Sequence, residues 1–126
     1  MPTEPLPPPG DDVLIRISRM ETVCVVRVSG EVDLVSAATV EQALTGTLEP
    51  VPTGLVADLS GVTFFGSSGL SALVAAEDRA KTAGVPFAVV AASREVLVPM
   101  RVTGLDELLA VHPTVDDAVR AVANPD

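Results

Sequence analysis

Two runs of β-branched residues open the patterned part of the chain. Residues 13–17 read Val-Leu-Ile-Arg-Ile, and residues 22–28 read Thr-Val-Cys-Val-Val-Arg-Val, with Met20 and Glu21 between them. Such runs favour β-strands, and the short connection predicts an antiparallel hairpin. Gly30 then closes the second predicted strand.

The pattern becomes helical after the hairpin. Apolar residues recur at spacings of three and four, at Ala37, Val40, Leu44 and Leu48. This stripe predicts an amphipathic helix that ends before Pro50 and Pro52. Residues 55–59 then read Leu-Val-Ala-Asp-Leu, a nearly continuous apolar run that is typical of a strand covered on both faces. Its one acid, Asp58, is expected to be buried and to need polar partners.

The second half of the chain repeats the alternation of helix and strand. The predicted elements are a helix from Ser67 to Ala83, a strand over 87–91, a helix that Ser93 caps and that runs toward Val102, a short edge strand over 108–111 and a closing helix over 115–122. Gly84 and Gly104 are predicted helix stops. This alternation predicts an α/β fold with a central mixed, mostly parallel sheet of about five strands and about four helices.

The two ends of the chain lack this patterning. Residues 1–12 hold a block of prolines followed by Gly10, Asp11 and Asp12, and carry too little apolar surface to offset the entropy of ordering. They predict a disordered tail, and residues 124–126 predict a frayed end, which leaves 13–123 as a single domain. Because no apolar run approaches the roughly 20 residues that cross a bilayer and no signal-peptide pattern is present, the cytoplasm is the expected location.

Charge argues against one class of partner. Seventeen acidic residues against eight basic ones give a net charge of −9, and the basic residues are scattered. Nucleic-acid binders carry a clustered positive surface, so direct DNA or RNA binding is not expected. The acidity suits a basic protein surface and also serves solubility. Cys24, the only cysteine, lies in an apolar run, which predicts a buried, inert thiol.

The junction between the third predicted strand and the second predicted helix carries the candidate chemistry. Residues 61–73 form a segment that ends in small residues and delivers two hydroxyls, Ser67 and Ser68, to the start of a helix. A helix start has unpaired N–H groups and a partial positive charge, so a phosphate on either serine would be tolerated there. We expect Ser67 to be the N-cap and Ser68 to be the first helical residue.

Three short motifs in this order resemble the STAS domain family, in particular the bacterial anti-sigma factor antagonists. They are Gly-Glu-Val-Asp at 30–33, Ala-Asp-Leu-Ser-Gly-Val at 57–62 and Phe-Gly-Ser-Ser-Gly-Leu at 65–70, within a match that spans about residues 13 to 122. The resemblance implies a non-catalytic protein without a cofactor that binds an anti-sigma factor with serine kinase activity. Binding would release a sigma factor to RNA polymerase.

The resemblance also implies the residues of the site. Phosphorylation of the second serine, Ser68, would abolish binding, and a serine phosphatase would be a further partner. The expected surroundings of the phospho-acceptor are Glu31, Asp33, Asp58, Gly66, Ser67 and Gly69. Family members often carry an aspartate directly before the paired serines, whereas this chain has Gly66.

Other functions remain open at this point. A serine followed by acids and His112 imitates the chain order of an α/β-hydrolase triad, but residues 66–70 are not Gly-x-Ser-x-Gly and the chain is short. A phosphoaspartate receiver would use Asp58, yet paired acids after the first strand are missing. Neither a phosphate-binding glycine loop nor a metal-ligand cluster is apparent, so we expect no enzyme and no metal. The remaining alternative is a STAS module that binds a small ligand or a signalling assembly without phosphorylation.

Overall fold

Strands and helices alternate along residues 13–124, the part of the chain that the computed structural model describes. The predicted tail over 1–12 and the last two residues of the predicted frayed end lie outside these residues. The elements are β1 (Val13–Met20), β2 (Val23–Val32), α1 (Ala37–Gly46), β3 (Gly54–Phe65), α2 (Ser67–Ala83), β4 (Phe87–Val90), α3 (Arg94–Thr103), α4 (Leu105–Leu108), β5 (Ala110–His112) and α5 (Val115–Ala123).

One five-stranded sheet in the order β1-β2-β3-β4-β5 forms the centre of the fold. β1 pairs antiparallel with β2, from Val13 opposite Gly30 to Met20 opposite Val23, as the hairpin pattern predicts. The other three pairings are parallel. The predicted α/β fold with a mixed, mostly parallel sheet is therefore confirmed.

The third strand is longer than its apolar run predicts. β3 continues past Leu59 to Phe65 because it stays paired with β2 through two register shifts. Gly61 belongs to this irregular stretch. A Cβ atom there would lie 2.6 Å from the Ser29 hydroxyl oxygen. The sequence also does not predict the single-turn helix α4, which occupies Leu105–Leu108 and moves the last strand to Ala110–His112.

The two faces of the sheet bury two separate apolar clusters. The larger cluster joins β2 and β3 to α1, α2 and α3, and includes Val26, Val28, Val40, Leu44, Leu55, Leu59, Leu73 and Val96. The smaller cluster lies under α5 and consists of Val23, Val25, Val56, Ala88, Val90, Ala118 and Val122. Since side chains alternate along a strand, neighbouring residues of β2 and β3 serve opposite clusters. The predicted buried thiol is confirmed, because Cys24 is 1% exposed.

Asp58 lies on the α5 face of β3 and is fully supplied with donors. Arg27 Nε donates to its Oδ2 at 2.8 Å, and the backbone N–H and hydroxyl of Ser60 donate to its Oδ1 at 3.0 and 2.7 Å. Burial raises the pKa of this carboxyl, but the hydrogen bonds from Ser60 and Arg27 outweigh burial and hold the pKa below its ordinary value of 3.8. Asp58 therefore joins β2 to β3 as a charged anchor.

Asp58→Asn tests this anchor, because it keeps the size of the side chain and removes its charge. We expect the free energy of unfolding at pH 7 to fall by about 1–3 kcal/mol. The folded-state pKa is depressed, so the stabilisation is present above about pH 4 and is lost as the pH falls through the folded-state pKa. Urea denaturation at neutral and acid pH measures both effects.

The matched control is Asp78→Asn, which removes an exposed carboxylate on α2. The prediction would be contradicted if Asp58→Asn lowered the free energy of unfolding at pH 7 no more than the control does. The prediction would also be contradicted if the free energies of unfolding of Asp58→Asn and of the unsubstituted protein did not converge at acid pH.

Candidate functional site

The carboxyl ends of β2 and β3 lie side by side and lead into the two loops that the sequence singles out. Val32 pairs with Phe65 at the end of the ladder, and the N–H of Gly66 donates to the Val32 carbonyl at 2.9 Å. This bond extends the pairing by one residue beyond β3. The start of α2 is therefore fixed directly against the end of β2.

α2 covers the predicted span from Ser67 to Ala83, but its N-cap is not the residue that the sequence predicts. Gly66 is the N-cap, with an extended backbone at φ −85° and ψ 178°, and α2 starts at Ser67. The expected assignment of Ser67 as N-cap is wrong, although serine is the better capping residue. The strand pairing that holds Gly66 extended decides the boundary instead. Because glycine has no side chain, the first N–H groups of α2 receive no side-chain cap.

Ser67 and Ser68 occupy the first turn of α2 with their hydroxyls unengaged. Ser67 is exposed and Ser68 is half-buried. Within residues 13–124, neither hydroxyl takes part in a side-chain hydrogen bond. Both lie at the positive end of a 17-residue helix. The geometry leaves each oxygen available to a partner while its backbone is held by the helix.

Gly69 allows this first turn to approach the strands closely. A Cβ atom at this position would lie 2.7 Å from Phe65 Cε1 and 2.9 Å from Val32 Cγ1. These distances are shorter than carbon atoms tolerate, so any side chain would push α2 away from the sheet. Gly69 therefore determines how close the serines lie to the ends of β2 and β3.

The acids expected around Ser68 are divided among different tasks. Asp33 Oδ1 accepts hydrogen bonds from the N–H groups of Val35 and Ser36, each at 3.0 Å, and from the Ser36 hydroxyl at 3.1 Å. The backbone N–H of Ser36 is the main cause that lowers the pKa of Asp33. Asp33 thus shapes the turn into α1. Glu31 is exposed beside Phe64, at the end of β2.

Asp58 does not lie with the serines. Its partner Arg27 precedes Val32 by five residues, which is about 16 Å of strand. The Asp58 carboxylate also lies on the α5 face of the sheet, whereas α2 covers the opposite face. The expectation that Asp58 surrounds the phospho-acceptor is therefore wrong. Strand alternation directs it away from α2.

Exposed apolar side chains near the serines are the feature that sequence reasoning missed. Leu34 is 81% exposed, Val35 57% and Phe64 50%. We call these three residues the apolar rim. The exposure of Leu34 and Val35 could have been predicted from sequence, because both fall outside the apolar stripe of α1. The exposure of Phe64 could not, because it depends on the register of β3. A groove of about 400 Å³ begins at Ser67 on the other side, between α2 and the α3–α4 region.

No group of three or more His, Cys, Asp or Glu side chains in residues 13–124 is arranged to hold a metal ion. None of the helices in that range combines the length and apolarity needed to span a membrane.

Fold and site together define a small α/β domain that presents a serine pair where a parallel strand enters a helix. The profile of the STAS domain matches residues 15–118. The chain belongs to the STAS domain family, which confirms the resemblance drawn from the three motifs.

Named relatives agree with this assignment. Over 112 residues, 89% of this chain and 91% of the relative, it is 35% identical to the anti-sigma-F factor antagonist RsfB of Mycobacterium tuberculosis. The solved structure of an anti-sigma factor antagonist from Mycobacterium paratuberculosis has a TM-score of 0.84 at 38% identity, covering 91% of this chain and 97% of that one. The phosphorylated form of the Bacillus cell fate determinant SpoIIAA shares the fold, with a TM-score of 0.66 at 14% identity over 86% of this chain and 99% of that one.

Gly69→Ala tests the close approach of α2 to the strands. We expect it to lower the free energy of unfolding by about 1–3 kcal/mol, because the new methyl group would overlap the Phe65 ring and Val32. Gly46→Ala is the matched control, since a Cβ atom at Gly46 meets no atom within 4 Å. The control should cost nothing or stabilise by up to about 1 kcal/mol. Equal effects of the two substitutions in chemical denaturation would disprove the contact.

Proposed function

We propose that this chain is an anti-sigma factor antagonist. It binds an anti-sigma factor that has serine kinase activity, thereby releasing a sigma factor, and phosphorylation of Ser68 switches the binding off. The observation that carries the proposal is the free, half-buried hydroxyl of Ser68 in the first turn of α2. The names of the Mycobacterium relatives support the antagonist function.

The surface around Ser68 suits a protein partner. The apolar rim supplies three exposed apolar side chains, one near the end of β3 and two in the turn after β2. Such side chains gain stability when a partner removes them from water. The net charge of −9 favours a partner with a basic surface and disfavours direct nucleic-acid binding. The partner acts beside RNA polymerase, so the proposal places the chain in the cytoplasm.

A phosphate on Ser68 would affect binding more than folding. The helix start stabilises a negative charge by about 0.3–2 kcal/mol, which offsets local repulsion. SpoIIAA keeps the shared fold in unphosphorylated and phosphorylated forms, which supports this tolerance. Inside an interface, however, the dianion must lose its water, and a loss of ~3 kcal/mol weakens affinity roughly a hundredfold. A serine phosphatase would restore the binding form.

Substitution of Ser68 tests the switch. We expect Ser68→Ala to bind the cognate anti-sigma factor persistently in the presence of ATP. Ser68→Glu should bind at least about tenfold more weakly, because the carboxylate must be desolvated in the interface. Gln42→Glu is the matched control, since it adds the same charge at an exposed site on α1. Isothermal titration calorimetry measures the affinities.

Mass spectrometry after incubation with the kinase and ATP completes this test. Phosphate on Ser68 is the expected result. Equal affinities of Ser68→Ala and Ser68→Glu, or phosphate found elsewhere with Ser68 unmodified, would refute the switch. Binding that is lost equally in Gln42→Glu would show a general charge effect.

One observation favours a second candidate function, a STAS module that binds its partner or a small ligand without being phosphorylated. Gly66 provides no carboxylate to orient the acceptor hydroxyl. Asp33 is engaged by Ser36, and Asp58 lies on the other face of the sheet. The groove beside Ser67 offers room for a ligand. A constitutive antagonist would bind as well after incubation with ATP as before.

Gly66→Asp tests whether the missing carboxylate limits phosphorylation of Ser68. The extended backbone accepts any residue, and an added Cβ would lie 3.3 Å from Cε2 of the exposed Phe64 ring, which has room to move. We expect phosphorylation of Ser68 to accelerate about tenfold or more, because a carboxylate beside the hydroxyl orients and activates it. Gly66→Asn is the control, since asparagine caps a helix equally well without the charge. Equal phosphorylation rates for both variants would show that capping alone matters.

A further inference from the structure

The outer strand β1 exposes an unusual amount of apolar surface for an edge strand. Leu14 is 60% exposed, Ile17 56% and Met20 41%, although within residues 13–124 β1 pairs with β2 alone. An eight-residue edge strand presents a row of backbone N–H and C=O groups to any strand that approaches it. Exposed apolar side chains along such an edge favour the pairing.

β1 and β2 together place a pair of like charges on the α5 face of the sheet. Arg16 lies directly opposite Arg27 in the antiparallel register. Like charges at directly opposed positions repel, so this pair costs stability unless an anion lies nearby. Arg27 is bound through Nε to Asp58, and its side chain remains 54% exposed. Among the residues that the structure describes, Arg16 takes part in no ion pair.

The helix on this face leaves the arginine pair uncovered. α5 packs over Val23, Val25, Val56, Ala88 and Val90, toward the other strands of the sheet. The strip formed by Leu14, Arg16, Met20 and Arg27 extends beyond it. We call this strip the β1 face. It combines Arg16, which has no carboxylate partner among the described residues, and Arg27, which is paired with Asp58, with apolar side chains at either end, in a chain whose net charge is −9.

We propose that β1 is a docking strand for an extended acidic segment of a partner protein. The segment would pair with the free edge of β1 and place a carboxylate beside Arg16 and Arg27, with apolar residues against Leu14 and Met20. Backbone hydrogen bonds supply affinity in such strand addition, and the alternating side chains supply specificity. A second copy of β1 is disfavoured as occupant, because it would bring further arginines to the same place.

The probe is the fluorescein-labelled peptide Val-Thr-Glu-Thr-Glu-Thr-Val-Thr, whose Val and Glu side chains share one face of an extended strand. It is compared with the same peptide in which Lys replaces both Glu residues. We expect the full chain to bind the glutamate peptide in fluorescence anisotropy at low ionic strength and to bind the lysine peptide at least about tenfold more weakly. NMR shift changes should concentrate in β1. No binding of the glutamate peptide, or equal binding of the two peptides, would overturn the proposal.

Two arginines of β1 provide a matched pair of variants. Arg16→Glu should weaken glutamate-peptide binding by about tenfold and strengthen lysine-peptide binding, and this reversal excludes simple misfolding. Arg19→Glu makes the same charge change on the opposite face, next to Cys24, and should change affinity by less than about threefold. Equal effects of the two variants would overturn the assignment to the β1 face.

Binding of a different molecule to the β1 face would give a distinct result, and each such result would overturn the proposal. Peptide binding seen only after Asp11→Asn and Asp12→Asn would assign the face to this chain's own N-terminal segment. A concentration-dependent dimer that Arg16→Glu abolishes would assign it to a second copy, and binding to phosphatidylserine vesicles in place of the peptide would assign it to a membrane. Because Arg16 is remote from the serines, Arg16→Glu should leave Ser68-dependent anti-sigma factor binding unchanged, so the two proposals fail independently.

Discussion

The contact between the first turn of α2 and the ends of β2 and β3 is the constraint on which the site depends. The missing side chain of Gly69 lets the helix lie against the Phe65 ring and Val32. The Gly66 N–H bond to the Val32 carbonyl holds the preceding residue extended. These two contacts therefore fix the backbone of Ser67 and Ser68 without using their hydroxyls. Their hydroxyls have no structural task within the described residues, and a modification can change their charge without removing a contact that the fold needs.

The sheet also keeps two of the acidic side chains of the domain away from the serines. On the α5 face, buried Asp58 forms an ion pair with the exposed Arg27. Asp33 accepts hydrogen bonds within the turn into α1. These two acids are thereby kept from the hydroxyl of Ser68. The serines meet the positive end of α2 and the apolar rim instead, so a phosphate there would be the dominant negative charge of its surface. Modification of this one group would therefore change the charge of the proposed docking surface.

Features set by local chemistry were predictable from sequence. Gly84 and Gly104 end α2 and α3 with φ of 73° and 78°, the left-handed conformation that glycine adopts freely. Thr114 caps α5 by accepting the N–H of Asp117 at 3.1 Å, the contact that a threonine three residues before an acid favours at a helix start. The predicted start of a helix at the serine pair is also confirmed, since α2 begins at Ser67.

Features set by strand register were not predictable from sequence. The extension of β3 to Phe65 depends on two shifts against β2, and those shifts determine that Gly66 is the N-cap and that Phe64 is exposed. The direction of Asp58 likewise follows from which face of β3 it occupies. Propensity at each position cannot supply such information, because it arises from pairing with a strand some 30 residues away.

The antiparallel hairpin places the two proposed surfaces at a defined distance from each other. β1 begins at Val13 beside Gly30, close to the strand ends that carry the serines, and runs away from them to Met20. Arg16 is three residues along, about 10 Å of strand from that edge. A partner that covers the apolar rim and a segment paired with β1 would therefore meet only near Leu14. Since Ser68 lies at the start of α2 and Arg16 on the α5 face, the sheet itself keeps a phosphate on one surface from neutralising the arginines of the other.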